Sequence, residues 1–240
     1  MTDFLRRLFE IIFSIVVLVL FSPFWLLIAL GIRLTSPGEI IYKSRRFGKG
    51  CRPFNLYKFR SMVTNADHLG SMNVGDTDSR VTKIGRFLRI TRLDEFPQFV
   101  NVLLGQIGLV GPRPDIEYYV RLYTEEQKKI IFAIKPGITD WASLSNFEQY
   151  RDFARADDPD RFFEAVIRPL KVDLQLYYCT HRSLTSDLYI ILCTALRIIK
   201  VKLPLPKGVR EIIAKHRAII AGEGVSQEET SLSQPNGTGR

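Results

Sequence analysis

The chain has 240 residues, 46% hydrophobic and 25% charged, enough for one globular domain with an anchor, and its composition excludes a disordered, collagen-like or multidomain protein. Three cysteines, Cys51, Cys179 and Cys193, form no close pair, which excludes a disulfide framework or a Cys-x-x-Cys site and points to a reducing compartment. Formal charge is +9, and the last twenty residues hold three Glu against one Arg, so residues 1–220 sum to +11; an anionic partner is expected.

Residues 11–32 carry no charge, and Ser14, Ser22 and Pro23 are the only ones that are not apolar, glycine or alanine. This is a membrane segment by composition. A cleaved signal peptide has a shorter apolar region and a small-x-small site, whereas this run ends in Leu30-Gly31-Ile32-Arg33 and continues into basic sequence. A straight helix of this length would measure ~33 Å, just enough to cross ~30 Å of hydrocarbon. Pro23, however, has no N–H for the Val19 carbonyl, and its ring presses on that turn. A break there leaves two arms of ~16 Å, each about one leaflet deep. Arg6 and Arg7 precede the run, and Arg33, Lys43, Arg45, Arg46, Lys49 and Arg52 follow it, which fits both ends on the cytoplasmic side. The expectation is a re-entrant helix-break-helix; a kinked spanning helix uses the same residues.

After the anchor, short β-prone runs at residues 39–44 and 54–59 flank the turn-rich Phe47-Gly48-Lys49-Gly50, which predicts a small hairpin. Residues 93–104 predict a helix with Phe96, Phe99, Val100, Leu103 and Leu104 on one face and Gly105 beyond its end. Residues 124–134 and 160–180 are helical by period. Residues 187–201 are apolar apart from Asp187, Thr194, Arg197 and Lys200 and read as a core helix, with a helix flat on a membrane surface as the alternative. From Gly222 the composition turns to Gly, Ser, Glu, Gln and Pro, and disorder is expected. The class is therefore α+β, mostly helical, with an anchor at residues 1–35, a body at 36–205 and an extension at 206–240.

Two adjacent carboxylates, Asp94 and Glu95, stand just before Pro97, where the first N–H groups of a helix need no intrahelical partner. Adjacent helical residues point about 100° apart, so the pair cannot work on one atom from one side. They can divide the work: one attacks phosphorus or a carbonyl carbon, the other holds a divalent cation. Complementing the helix dipole is the plainer role. Asp94, Gln98 and Asn101 form a polar stripe at spacings of four and three. Lys58, Arg60, Arg80, Lys83, Arg86, Arg89, Arg92 and Arg113 gather cationic donors in the same region, suited to phosphate oxygens or to lipid headgroups. In Gly111-Pro112-Arg113-Pro114 two prolines lock the backbone around one arginine, which serves an anion clamp or a turn.

Lys58-Phe59-Arg60-Ser61-Met62, Leu88-Arg89, Leu93-Asp94-Glu95-Phe96-Pro97-Gln98, Gly111-Pro112-Arg113-Pro114 and Lys135-Pro136-Gly137-Ile138-Thr139, in that order, closely resemble the bacterial monotopic phosphoglycosyl transferases, over roughly residues 6–200. The resemblance implies a catalytic body at 36–205 that moves a sugar 1-phosphate from a UDP-sugar to a polyprenyl phosphate such as undecaprenyl phosphate. UMP is released, and a lipid-linked glycan begins at the cytoplasmic face of the bacterial inner membrane. It implies Asp94 as nucleophile in a ping-pong mechanism, Glu95 as catalytic ligand of Mg²⁺, and Lys58, Arg60, Arg89 and Arg113 near phosphate. Ser22 and Pro23 match the family's helix-breaking pair, which favours the re-entrant anchor and contact with membrane lipids. A homodimer fits as well as a monomer, and nucleic acid is not implied. A membrane-anchored module for anionic lipid or nucleic acid, without catalysis, is what the charge would suggest alone, and a scaffold for glycan assembly is a third reading. Three positions depart from the family pattern: Glu10 stands where an aspartate is common, Arg92 where a small polar residue is, and Asp140 where a glycine is. Arg92 and Asp140 are both placed where they could face the donor, which leaves the sugar specificity open.

Overall fold

The structure, a computed structural model, describes residues 2–66, 78–145, 159–198 and 200–232. Helices α1 (Thr2–Leu20) and α2 (Ser22–Thr35) meet at a bend of 62°. Because Pro23 cannot bond the Val19 carbonyl, the Ser22 hydroxyl donates to it instead at 2.8 Å. The Ser22-Pro23 pair thus breaks the helix without leaving that acceptor unpaired. Among the described residues no single helix is long and apolar enough to cross a membrane.

Strands β1 (Ile41–Phe47) and β2 (Pro53–Phe59) form the predicted antiparallel hairpin, with Ile41 opposite Phe59 and Phe47 opposite Pro53. Its turn is a short 3₁₀ segment (Lys49–Cys51) in which Gly50 takes φ +66°. Helix α3 (Lys83–Thr91) is capped by Thr82, whose hydroxyl accepts from the Gly85 N–H at 3.0 Å. Ile28 and Ile32 of α2 pack with Leu88 of α3 and Phe59 of β2 in one apolar cluster, so the second helix of the bent pair is seated on the body.

Gly85 marks where α3 crosses the chain after β2. A Cβ there would stand 1.8 Å from the Ser61 carbonyl oxygen, a backbone atom that also accepts from the Thr82 N–H at 3.0 Å. Gly85→Ala is expected to cost at least about 1–3 kcal/mol by forcing α3 off β2, seen as a thermal midpoint lowered by about 2–12 °C. An unchanged midpoint would mean that this crossing is not tight.

A 3₁₀ turn (Leu93–Glu95) leads into α4 (Gln98–Leu103), in place of the single helix predicted over 93–104. Pro97 is the reason: it has no N–H for the Leu93 carbonyl, which accepts from Phe96 N–H at 3.3 Å instead. The polar stripe faces inward. Gln98 is 2% and Asn101 0% exposed, while Leu104, past the end of α4, is 58% exposed. Asn101 explains the orientation, because its amide accepts from Tyr57 N–H at 2.9 Å and donates to the Asn55 carbonyl at 2.7 Å, fixing β2 beneath the dyad.

Strands β3 (Gly108–Val110) and β4 (Gly137–Thr139) pair in parallel. Glu10 of α1 reaches β3, accepting from Leu109 N–H at 3.3 Å. Short helices α5 (Glu117–Arg121), α6 (Glu125–Ile131) and α7 (Trp141–Ser145) follow. The stretch predicted as one helix over 160–180 is α8 (Pro159–Phe162), a π-helical turn (Phe163–Ile167) and α9 (Arg168–His181).

Helix α10 (Leu184–Ile198) is the core helix of the first reading along one face, where Ile190 and Cys193 are buried in a cluster with Trp141 and Leu174, while Leu188 and Leu192 on another face are exposed. Helix α11 (Lys207–Leu232) continues ten residues past Gly222, where disorder was expected. Glu and Gln at 223, 227, 228 and 229 are good helix formers, which a reading from net composition overlooked.

Candidate active site

Arg92 adopts the left-handed conformation at φ 60°, ψ 14°, turning the chain out of α3 and into the 3₁₀ turn that carries the dyad. Non-glycine residues rarely occupy this region. The turn directs Asp94 inward, where its residue is 7% exposed, and lays Glu95 against β2 and the Arg113 loop.

Glu95 is held from three sides. Arg113 grips it with both terminal nitrogens, Nη1 to Oε2 at 3.1 Å and Nη2 to Oε1. Lys58 Nζ lies 3.2 Å from Oε1, and Arg92 Nη1 lies 3.9 Å away. Burial pushes the Glu95 pKa up, but Arg113 and Lys58 outweigh it and hold the carboxyl well below its usual range. Burial likewise lowers the Lys58 pKa, opposed by Glu95.

Asp94 behaves oppositely. Burial raises its pKa, Lys58 opposes, and the neighbouring Glu95 charge raises it further. No hydrogen bond from a side chain among the described residues reaches its carboxylate. The two carboxylates are therefore pushed apart in basicity, one a fixed anion and one more basic and unencumbered, which is how paired acids come to hold different roles.

The Arg113 loop is fixed at nearly every backbone group. Arg113 N–H donates to Asp140 Oδ2 at 3.2 Å, and its carbonyl accepts from Gln175 Nε2 at 3.2 Å. Gly137 N–H donates to the Pro112 carbonyl at 3.1 Å. Lys171 and the Tyr123 hydroxyl, the latter at 2.7 Å, hold the Asp115 carboxylate. A Cβ on Gly137 would stand 2.1 Å from Gly111 N, so the two motifs touch backbone to backbone. Of the two roles open to the proline-locked Arg113, anion clamp or turn, what the structure shows is a side chain gripping the Glu95 carboxylate.

Of the other expected phosphate residues, Lys58 is at the dyad, whereas Arg60 donates through both terminal nitrogens to the Ser36 and Pro37 carbonyls and ties α2 to the end of β2. Arg89 is half-buried on α3. Asp140 is fully buried and caps α7, accepting from Ser143 N–H and Oγ at 2.7 Å each, so it faces the fold and not a donor. Arg92 remains beside the dyad. The sequence reading missed Arg46, which lies on the hairpin near Arg113 and was counted only among the flanking positive charges; its alternation with Tyr42 and Ser44 was the available signal. His181 and His216 stand apart from the site, and His68 lies outside the described residues.

Among the described residues no three His, Cys, Asp or Glu side chains could cage a metal. The site offers two hard carboxylates, and Glu95 Oε2 accepts one N–H, leaving it a lone pair. That donor set fits Mg²⁺, which takes one or two carboxylates together with substrate phosphates.

A family model described as bacterial sugar transferase matches residues 1–201. The chain belongs to the bacterial sugar transferase family. It is 35% identical over 193 residues to an Aeromonas hydrophila protein named UDP-N-acetylgalactosamine-undecaprenyl-phosphate N-acetylgalactosaminephosphotransferase, covering 80% of this chain and 43% of that relative. It is 33% identical over 195 residues to an Escherichia coli (strain K12) UDP-glucose:undecaprenyl-phosphate glucose-1-phosphate transferase, covering 80% and 40%. A Rhizobium leguminosarum bv. phaseoli exopolysaccharide production protein, PSS, is 36% identical over 198 residues, covering 79% of this chain and 92% of the relative. The chain thus spans less than half of the first two relatives and nearly all of the third.

Proposed function

We propose that this sugar transferase family member moves a sugar 1-phosphate from a UDP-sugar to undecaprenyl phosphate, through a covalent intermediate on Asp94. The observation that carries the reading is the asymmetry of the dyad: a buried Asp94 carboxylate with raised basicity and no side-chain partner, beside a Glu95 locked by Arg113 and Lys58. An Asp94 carboxylate oxygen attacks the sugar-linked β-phosphorus. The bond from that phosphorus to the bridging oxygen breaks, and the oxygen leaves with the α-phosphate as UMP. A phosphate oxygen of the acceptor then attacks the same phosphorus and breaks the aspartyl bond, giving the lipid diphosphate sugar and restoring Asp94.

A carboxylate attacks an anionic diphosphate poorly unless cations neutralise the phosphoryl oxygens. Lys58 and Arg113 hold Glu95 in place, and Glu95 would hold Mg²⁺ in turn. The ion, when bound, supplies charge neutralisation on the donor diphosphate. The acceptor's tail is lipid, so the site must sit at membrane level. The 62° break and the exposed apolar side chains of α1 and α2, Val19, Leu20 and Leu26 among them, support an anchor dipping into the cytoplasmic leaflet of the bacterial inner membrane. Arg and Lys near an anionic surface contribute about 1 kcal/mol each to that attachment.

The test is incubation of detergent-solubilised protein with Mg²⁺, undecaprenyl phosphate and a panel of UDP-sugars, with UMP as the readout. Acceptor-dependent UMP from at least one donor is expected. No UMP from any donor would overturn the reading in favour of a binding module or scaffold.

A further inference from the structure

We infer that Arg46 binds the donor diphosphate, its guanidinium meeting a non-bridging phosphate oxygen beside the Arg113–Glu95 pair. This rests on the transfer reading above and adds a residue to it.

Three placements bring Arg46 to the dyad. On the hairpin, Tyr42, Ser44 and Arg46 share one face with their cross-strand partners Lys58, Leu56 and Phe54. Lys58 is the residue that reaches Glu95. The next residue, Phe47, donates its N–H to the Asp115 carbonyl at 3.0 Å, which ties this end of β1 to the loop that carries Arg113. Finally, Arg46 Nε donates to the Ser44 hydroxyl at 3.0 Å. Ser44 is two residues back, so this bond turns the guanidinium along the strand towards Lys58, whose partner Tyr42 is ~13 Å away. Arg46 is close enough for burial, Asp115, Arg113 and Glu95 all to act on its charge.

The remaining N–H groups are not spoken for. The Nε bond to Ser44 is the side chain's hydrogen bond among the described residues, and the two terminal nitrogens, four donors in fixed geometry, have no protein acceptor there. Four other cations of the body are committed. Lys58 and Arg113 are on Glu95, Lys171 is on Asp115, and Arg60 is on the Ser36 and Pro37 carbonyls. Lys58 and Arg113 together offset the charge of the ionised dyad, so a diphosphate must be met by charge outside those pairs. Arg46, half-buried on the hairpin side, is such a charge. Guanidinium forks suit phosphate oxygens in two-point contact.

The shared chemistry, phosphate, belongs to both donor and acceptor, and the two half-reactions separate them. The donor that gives UMP with the wild-type protein is mixed with Mg²⁺ and full-length protein without acceptor, and the UMP burst is followed for wild type, Arg46→Ala and Arg46→Lys. The burst rate should fall by about 10²-fold or more in Arg46→Ala, less in Arg46→Lys, and guanidinium ion should restore part of the Arg46→Ala loss. The KM for undecaprenyl phosphate should not change. A wild-type burst in both variants would overturn the inference, as would a loss confined to the acceptor step. A lowered melting temperature with no rescue by guanidinium would overturn it too, by giving Arg46 a structural role. If the wild-type protein released no UMP, the transfer reading itself would fall instead.

Discussion

Arg113→Met is expected to destabilise the protein by about 3–5 kcal/mol and to abolish transfer, because it leaves Glu95 buried without its two-point partner. The Glu95 side chain is 12% exposed and that of Arg113 26%, so solvent cannot replace the lost contacts. Lys58 at 3.2 Å moderates the loss and sets the lower end of the range. For a chain of this size the thermal midpoint should drop by about 6–20 °C. Arg113→Lys keeps the charge but not the fork, so it should recover much of the stability and little of the activity. A midpoint for Arg113→Met within experimental error of wild type would show that Glu95 finds other partners.

Asp94→Asn should remove turnover entirely while leaving the protein as stable as wild type or more so. Burial, with Lys58 opposing and Glu95 adding, raises the Asp94 pKa above its ordinary value near 3.8. A carboxyl whose pKa is higher folded than unfolded favours the native state below the unfolded value, and that contribution disappears as pH rises through the folded value. At neutral pH the ionised, buried Asp94 is therefore a net cost, and an uncharged amide of the same shape removes it. An arrangement of this kind is one that stability alone would not select. The same shift should place the acid limb of turnover above the usual aspartate range, since in the proposed mechanism the ionised form attacks. A marked drop in the melting temperature of Asp94→Asn would contradict this view of the site, as would an acid limb near or below 3.8 in the wild type.

Much of this was legible from residue order alone. Ser22-Pro23 breaks the N-terminal helix because a proline lacks one N–H, and the hairpin follows from β-prone runs around Gly48 and Gly50; both are local rules. Adjacent carboxylates before Pro97 were visible as a pair, but their difference in basicity was not, because it depends on Lys58 and Arg113 arriving from 37 and 18 residues away. Arg60 and Arg113 look alike in sequence as cations in motifs. Packing separates them, sending one to backbone carbonyls and the other to Glu95. The inward turn of Gln98 and Asn101 was hidden for a similar reason: a polar stripe on a greasy helix normally faces water, and only the open backbone groups of β2 invert that choice. Asp140 has no legible role in sequence, because a carboxylate next to a motif can serve a ligand or cap a helix equally well until the following helix is seen.

Intact mass followed by peptide mapping, after mixing the protein with Mg²⁺ and a competent UDP-sugar but no acceptor, bears most directly on the chemistry. One phosphosugar should be added per chain, located on the peptide containing Asp94, lost on addition of undecaprenyl phosphate and absent from Asp94→Asn. An adduct on any other residue, or one that persists in Asp94→Asn, would contradict the assignment.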